Sequence, residues 1–240
     1  MNLIVCKDYE EMSQKAASLA AGNIDAAKEQ LVSFPGGDTP LGMVEAFVAM
    51  VNDRTVDISH TRYVQLDEWV GLGEKDKGSC AEFNRVKLLD KLRYPFLEVF
   101  LIDGLAKDIE GERRRLNAFI ERFGPLDLSV LGIGLNGHLG FNEEGVDFGN
   151  DAHIIPLSNI TKEVMGKYFD RSHPLEYGIT QGIKQIMAAK KVILMANGCH
   201  KAPILKKAFG GPVTNAVPAS ILQRHNDCTV IADAEAAKEL

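Results

Sequence analysis

The strongest constraint in this sequence is a rhythm. Short apolar runs alternate with longer amphipathic stretches along its length. "LIVC" (3–6), "QLVSF" (30–34), "RYVQL" (62–66), "EVFLI" (98–102), "DLSVLGIG" (127–134), "KVILMA" (191–196) and "CTVIAD" (228–233) have the length and composition of strands. Helical segments lie between them, at 8–21, 41–51, 81–92, 107–123, 160–169, 183–189 and 199–209. Acids occupy the first turn of the 8–21 helix, and Thr39 and Pro40 are placed to cap and open the next one. Residues 67–79 and 135–160 read as polar or loop-rich connections. Strands and helices alternating this often predict an α/β, Rossmann-like fold, a mainly parallel sheet with helices on both faces. No repeat, low-complexity tract or linker divides the chain, so residues 1–240 are expected to form a single domain.

Composition narrows the function. The net charge is −6, from 27 basic and 33 acidic residues, and no basic block is long enough to hold a phosphodiester backbone. The densest basic run, Arg113–Arg115, is flanked by acids and reads as a solvated helix face. Nucleic acid is therefore not an expected partner. No run approaches the ~20 apolar residues of a membrane span, and the N-terminus does not read as a signal peptide. The four cysteines, Cys6, Cys80, Cys199 and Cys228, are scattered without metal-type spacing. They point to a reducing, cytoplasmic setting.

In open parallel sheets, ligands bind beyond the carboxyl ends of the strands, so the residues after each strand belong together. Pro35-Gly36-Gly37-Asp38-Thr39-Pro40 follows the second strand. Glycines that admit a ligand, a helix N-terminus and a hydroxyl suit a phosphate; a tight strand-to-helix turn explains the same residues. Asp38 fits a phosphate badly, and can instead point away, cap a neighbour or meet a ligand hydroxyl. Asp67-Glu68 ends the third strand, as a candidate general base or as loop acids pairing with lysine.

"VLGIGLNGHLGFNEEG" (130–145) has the glycine spacing of a dinucleotide loop, Gly132, Gly134 and Gly137. No clear helix follows, and a dinucleotide loop belongs after the first strand. Asn136, His138 and Glu143 instead form a candidate polar cluster. A carboxylate beside an imidazole makes a proton shuttle near neutral pH, although loop backbone can also satisfy such a histidine. Lys167 and Lys201 can complete a phosphate site as point charges, or stand as surface lysines.

Together these segments resemble the glucosamine-6-phosphate deaminase and galactosamine-6-phosphate isomerase family, within the 6-phosphogluconolactonase superfamily. The resemblance runs from "GGDTPLGM" through "QLDEWVGL", "LGIGLNGHLGFNEEG" and "YGITQGIKQIMAAKKVILMANGCHKA" to "VPASILQRHNDCTVIAD". Lactonases look like "DGHTASLFP" where this chain has "NGHLGFNE". The resemblance implies a deaminating aldose–ketose isomerase that needs neither cofactor nor metal. Its partner would be a small amino-sugar phosphate.

The implied roles fall on named positions. Asp67 would move a proton between C2 and C1 of the open-chain sugar. His138 would open the ring, oriented by Glu143 with Asn136 beside it. Gly36, Gly37, Asp38, Thr39, Lys167 and Lys201 would line the substrate and phosphate site. Two of these depart from relatives that carry arginine at the Lys167 position and a small or hydroxyl residue at the Asp38 position. Some relatives have aspartate in place of Asn136. A lactone hydrolase and a non-catalytic sugar-phosphate sensor are the competing expectations. Length and family analogy suggest a monomer or small homo-oligomer.

Overall fold

Successive residues of the central strands face opposite cores. In β9 (Lys191–Ala196), Val192, Leu194 and Ala196 join one buried cluster, and Ile193 and Met195 join the other. Strands apolar on both sides are what a sheet covered by helices on both faces requires. The computed structural model describes residues 1–166, 169 and 175–240.

The main sheet has seven strands in the order β1-β10-β9-β6-β2-β3-β5. These are β1 (Asn2–Cys6), β2 (Gln30–Ser33), β3 (Thr61–Val64), β5 (Glu98–Phe100), β6 (Leu128–Gly132), β9 and β10 (Cys228–Asp233). Every pairing among them is parallel. Helices α1 (Tyr9–Ala21) and α2 (Asp38–Asn52) cover one face with Met12, Ala16, Met43 and Phe47. The other face carries α4 (Ile109–Phe123), α6 (Ile183–Met187) and α7 (Ala202–Gly210), through Leu116, Ile120, Ile186 and Leu205. The Rossmann-like α/β class expected from the alternation is the class observed.

A second sheet was not legible in the rhythm. Strands β4 (Asp67–Trp69), β8 (Tyr177–Thr180) and β7 (His153–Pro156) pair antiparallel in that order. Residues 67–79 and 135–160 were read as connections, and each holds one of these strands. Three or four residues are too few to show a period. Tertiary packing decides instead: Trp69, Leu72, Phe141 and Leu157 form a small core, with the Trp69 and Phe141 rings 4.6 Å apart. Gln181 joins the two sheets. Its side-chain amide donates to Ser33 Oγ and to the Gln65 carbonyl, both at 3.0 Å.

Other differences are local. The stretch expected as one helix at 81–92 is α3 (Cys80–Phe83), then a π turn and a 3-10 turn. The 160–169 helix is described as α5 (Asn159–Met165), and Lys167 lies outside the described residues. Thr39 does not cap α2. The cap position is Gly37, with φ 99°, and the Thr39 hydroxyl turns to Asn197.

Candidate active site

The sheet order places a switch point between β2 and β6. From β2 the chain continues to β3 on one side; from β6 it continues to β9 on the other. A crevice forms where such connections diverge. Residues 35–40 follow β2, and 133–145 follow β6, so the two glycine-rich segments share that crevice.

On the phosphate-like side, Thr39 in the first turn of α2 donates its hydroxyl to Asn197 Oδ1 at 2.7 Å. Asn197 directly follows β9. Lys201 is the residue directly before α7 and donates Nζ to the Ile133 carbonyl at 2.6 Å, just beyond β6. Gly36 packs beside the Phe83 ring, and Asp38 stands exposed at the start of α2, its carbonyl accepting from Tyr9 Oη at 2.9 Å.

The acid–base side is buried. Asp67 opens β4, where the chain leaves the main sheet for the small one, and it is 8% exposed. It lies against Gly140: a β-carbon there would stand 3.3 Å from Asp67 Oδ2 and 2.7 Å from Thr180 Oγ1. Burial pushes the Asp67 carboxyl up to about 6, against the pull of the Cys80 thiol and the His138 charge. Glu68 has a different job. It accepts from the Trp69, Cys80 and Ala81 amides at 2.8, 3.1 and 2.7 Å, and from Gln65 Nε2 at 3.1 Å. These bonds hold the start of α3 onto the strand. Of the two acids flagged after the third strand, only Asp67 faces the site loop.

His138 sits in the loop after β6. Its ring lies directly on Gly134, where a β-carbon would come within 2.5 Å of Nε2 and Cε1 and push the ring aside. Its Nδ1 is 3.5 Å from Glu143 Oε2 and 3.2 Å from Thr161 Oγ1. Glu143 also accepts from Asn136 Nδ2 at 2.7 Å, Thr161 Oγ1 at 2.5 Å and the Ser158 amide at 3.2 Å. Burial opposes its ionisation, but the bond and charge of His138, then Thr161 and Asn136, outweigh it and bring the carboxyl down to about 2. Asn136, His138 and Glu143 are thus brought together as expected, and Asp67 lies close enough to feel the His138 charge.

Three contributors were missed in the sequence. Asn197 follows a strand, so reading every strand end would have found it. Ser158 and Thr161 are the cap and first turn of α5; Ser158-x-x-Thr161 signals a helix start and nothing about a distant carboxylate. Among the described residues, no group of three or more His, Cys, Asp or Glu side chains is placed to hold a metal ion. Also among them, no helix is long and apolar enough to cross a membrane.

The geometry has close counterparts. A family model described as glucosamine-6-phosphate isomerases/6-phosphogluconolactonase matches residues 7–231. A glucosamine-6-phosphate deaminase of Shouchella clausii is 38% identical over 238 residues, covering 99% of this chain and 96% of its own. One from Lachnoclostridium phytofermentans is 38% identical over 232 residues, covering 96% of this chain and 98% of its own. The solved structure of a monomeric glucosamine-6-phosphate deaminase superposes with a TM-score of 0.94 at 30% identity, covering all of both chains. The 6-phosphogluconolactonase from Trypanosoma brucei shares the fold, with a TM-score of 0.77 at 17% identity over 100% of this chain and 98% of its own. The chain belongs to the glucosamine-6-phosphate isomerase/6-phosphogluconolactonase family.

Proposed function

We propose that this chain is an amino-sugar-phosphate deaminase, converting a 2-amino-2-deoxyhexose 6-phosphate and water to the ketohexose 6-phosphate and ammonia. Glucosamine 6-phosphate is the first substrate to test, and its C4 epimer galactosamine 6-phosphate the second. The observation that carries the reading is the pairing of two buried carboxylates in one crevice. One is held near neutral proton affinity, and the other is spent on orienting a histidine.

The chemistry follows from those environments. His138 takes the proton of the O1 hydroxyl and returns one to the ring oxygen, which opens the pyranose and exposes an aldehyde at C1. The aldehyde acidifies the C2 proton. Asp67, as carboxylate, removes that proton to give an enolamine and delivers a proton to C1. The resulting 2-imine is hydrolysed, releasing ammonia. Positioned acid and base groups of this kind contribute about 10²–10⁴-fold each. Thr39, Gly36, Gly37 and Lys201 hold the 6-phosphate at the head of α2, where amides and a fixed cation favour a dianion. Lys167 is assigned there by resemblance alone.

Residues 1–240 act as one unit in this reading, as a cytoplasmic monomer or small homo-oligomer. The similarity to a monomeric deaminase supports the monomer. The test is ammonia release from glucosamine, galactosamine and mannosamine 6-phosphates by wild type and Asp67→Asn. Release from one of the first two, lost in the variant, is expected. Activity untouched by the substitution would remove Asp67 as the base, and silence on all three would remove the amino-sugar substrate.

A further inference from the structure

A hydroxyl has one proton to give and two lone pairs to fill. At Thr161, 1% exposed, all three are accounted for. Its proton goes to Glu143 Oε1 at 2.5 Å. One lone pair receives the Ser158 hydroxyl at 3.0 Å. The other faces His138 Nδ1 at 3.2 Å. Ser158 is committed in turn: its oxygen accepts the Thr161 amide at 3.2 Å and Asn136 Nδ2 at 3.4 Å, so its proton is available for Thr161. Glu143 cannot supply a proton to reverse the chain, because it accepts at both oxygens from Asn136, Ser158 and Thr161. With its own proton spent on Glu143, Thr161 can only accept at His138, so Nδ1 must carry hydrogen.

We propose that Thr161, backed by Ser158, is a positioning residue that fixes neutral His138 as the Nδ1–H tautomer and leaves Nε2 as its basic atom. The inference rests on the ring-opening reading for its consequence, though not for its geometry. The Nδ1 edge of the ring faces Thr161 and Glu143; the opposite edge lies over Gly134. Proton pickup from the sugar O1 hydroxyl needs an unprotonated nitrogen on that second edge. Which nitrogen holds the proton is set by the bond the other makes. A misassigned tautomer at a catalytic histidine is costly even when the geometry is intact. Glu143 Oε2, at 3.5 Å from Nδ1, lies farther off than the Thr161 hydroxyl at 3.2 Å. The arrangement also ties the shuttle to α5, since Ser158 and Thr161 are its cap and first turn.

The test is ¹H–¹⁵N NMR of the full chain labelled at histidine, at pH 8 without substrate, with the His138 signals assigned by a His138→Asn variant. Wild type and Thr161→Ser are expected to show a protonated Nδ1 and an unprotonated Nε2. Thr161→Val, which keeps the shape and loses the hydroxyl, is expected to shift population to the Nε2–H form. In ammonia release from glucosamine 6-phosphate, kcat should fall about 10- to 100-fold in Thr161→Val, with KM within about twofold, and Thr161→Ser should recover most of it. A wild-type Nε2–H imidazole, a Thr161→Val tautomer equal to wild type, or full kcat in that variant would overturn the proposal. If no variant releases ammonia while the NMR pattern holds, the tautomer assignment stands and the deaminase reading fails.

Discussion

Asp67 and Glu143 are both nearly buried, 8% and 5% exposed, yet they bind protons on opposite terms. Asp67 is raised to about 6 and Glu143 is lowered to about 2. Both suffer desolvation. The difference lies in what answers it: Glu143 has a histidine and three polar donors around its oxygens, whereas Asp67 has the weak thiol of Cys80 and a more distant share of the same histidine. Glu68 separates the two factors. It has four N–H donors, and deeper burial still pushes it up to about 8, the pull of the Ala81, Trp69 and Cys80 amides and Gln65 notwithstanding. At Glu68 the donors do not outweigh desolvation, whereas at Glu143 the donors and His138 together do. In the proposed reaction, two carboxyls set apart in this way take the roles of base and orienter.

The largest effect should come from the base. Asp67→Asn is expected to lower kcat for ammonia release by about 10³-fold, since the amide cannot take the C2 proton. The same change should stabilise the fold. The folded-state carboxyl titrates above its ordinary value, so the unfolded chain ionises first as pH rises, and the cost of the buried charge grows from about pH 4 to about pH 6. The rise from 3.8 to about 6, caused first by burial, corresponds to roughly 3 kcal/mol above that window. Thermal melts at pH 8 should therefore show a higher Tm for Asp67→Asn, with the gap closing toward pH 4. A variant no more stable than wild type at pH 8 would mean that Asp67 is not paying a desolvation cost.

Glu143→Gln should show the mirror image. It is expected to lower kcat by about 10²-fold and the stability by about 1–3 kcal/mol, because an amide cannot accept from Asn136, Ser158 and Thr161 together. Glu143 contributes stability above its unfolded value, lost as pH falls through its low folded one. The Glu143→Gln deficit in denaturant unfolding should therefore be full at neutral pH and shrink in acid. A deficit unchanged at pH 3 would break the contrast with Asp67.

Two smaller effects fall on the phosphate side. Thr39→Val should raise KM about 10-fold with kcat nearly unchanged, the loss expected for one hydrogen bond to a charged group. Asp38→Ser should lower KM about threefold, because an exposed acid at the head of α2 repels a dianion only weakly. Steady-state kinetics on glucosamine 6-phosphate distinguishes both from a change at the base, which moves kcat.

The main sheet was legible because each of its strands is an apolar run long enough to stand out, as "KVILMA" and "CTVIAD" show. The small sheet was not, because Asp67–Trp69 is three residues beginning with two acids, and only its pairing with Tyr177–Thr180 makes it a strand. The site divided along similar lines. His138, Asn136 and Glu143 share one short loop, so residue types and spacing sufficed to group them. Asp67 stood out as an acid at a strand end, but its separation from Glu68 depends on which side of β4 each faces. Ser158 and Thr161 reach Glu143 from 15 and 18 residues away through a helix cap, a relation local sequence does not encode.

Asp67, a carboxylate with elevated proton affinity, is the proposed base for deamination. The pH dependence of kcat/KM for ammonia release from glucosamine 6-phosphate tests it most directly, since this quantity reports groups of the free enzyme. An acid limb with an apparent pKa of about 6 is expected, below which activity falls about tenfold per pH unit. A rate that holds level down to pH 4.5, on substrate whose own ionisation is accounted for, would contradict it.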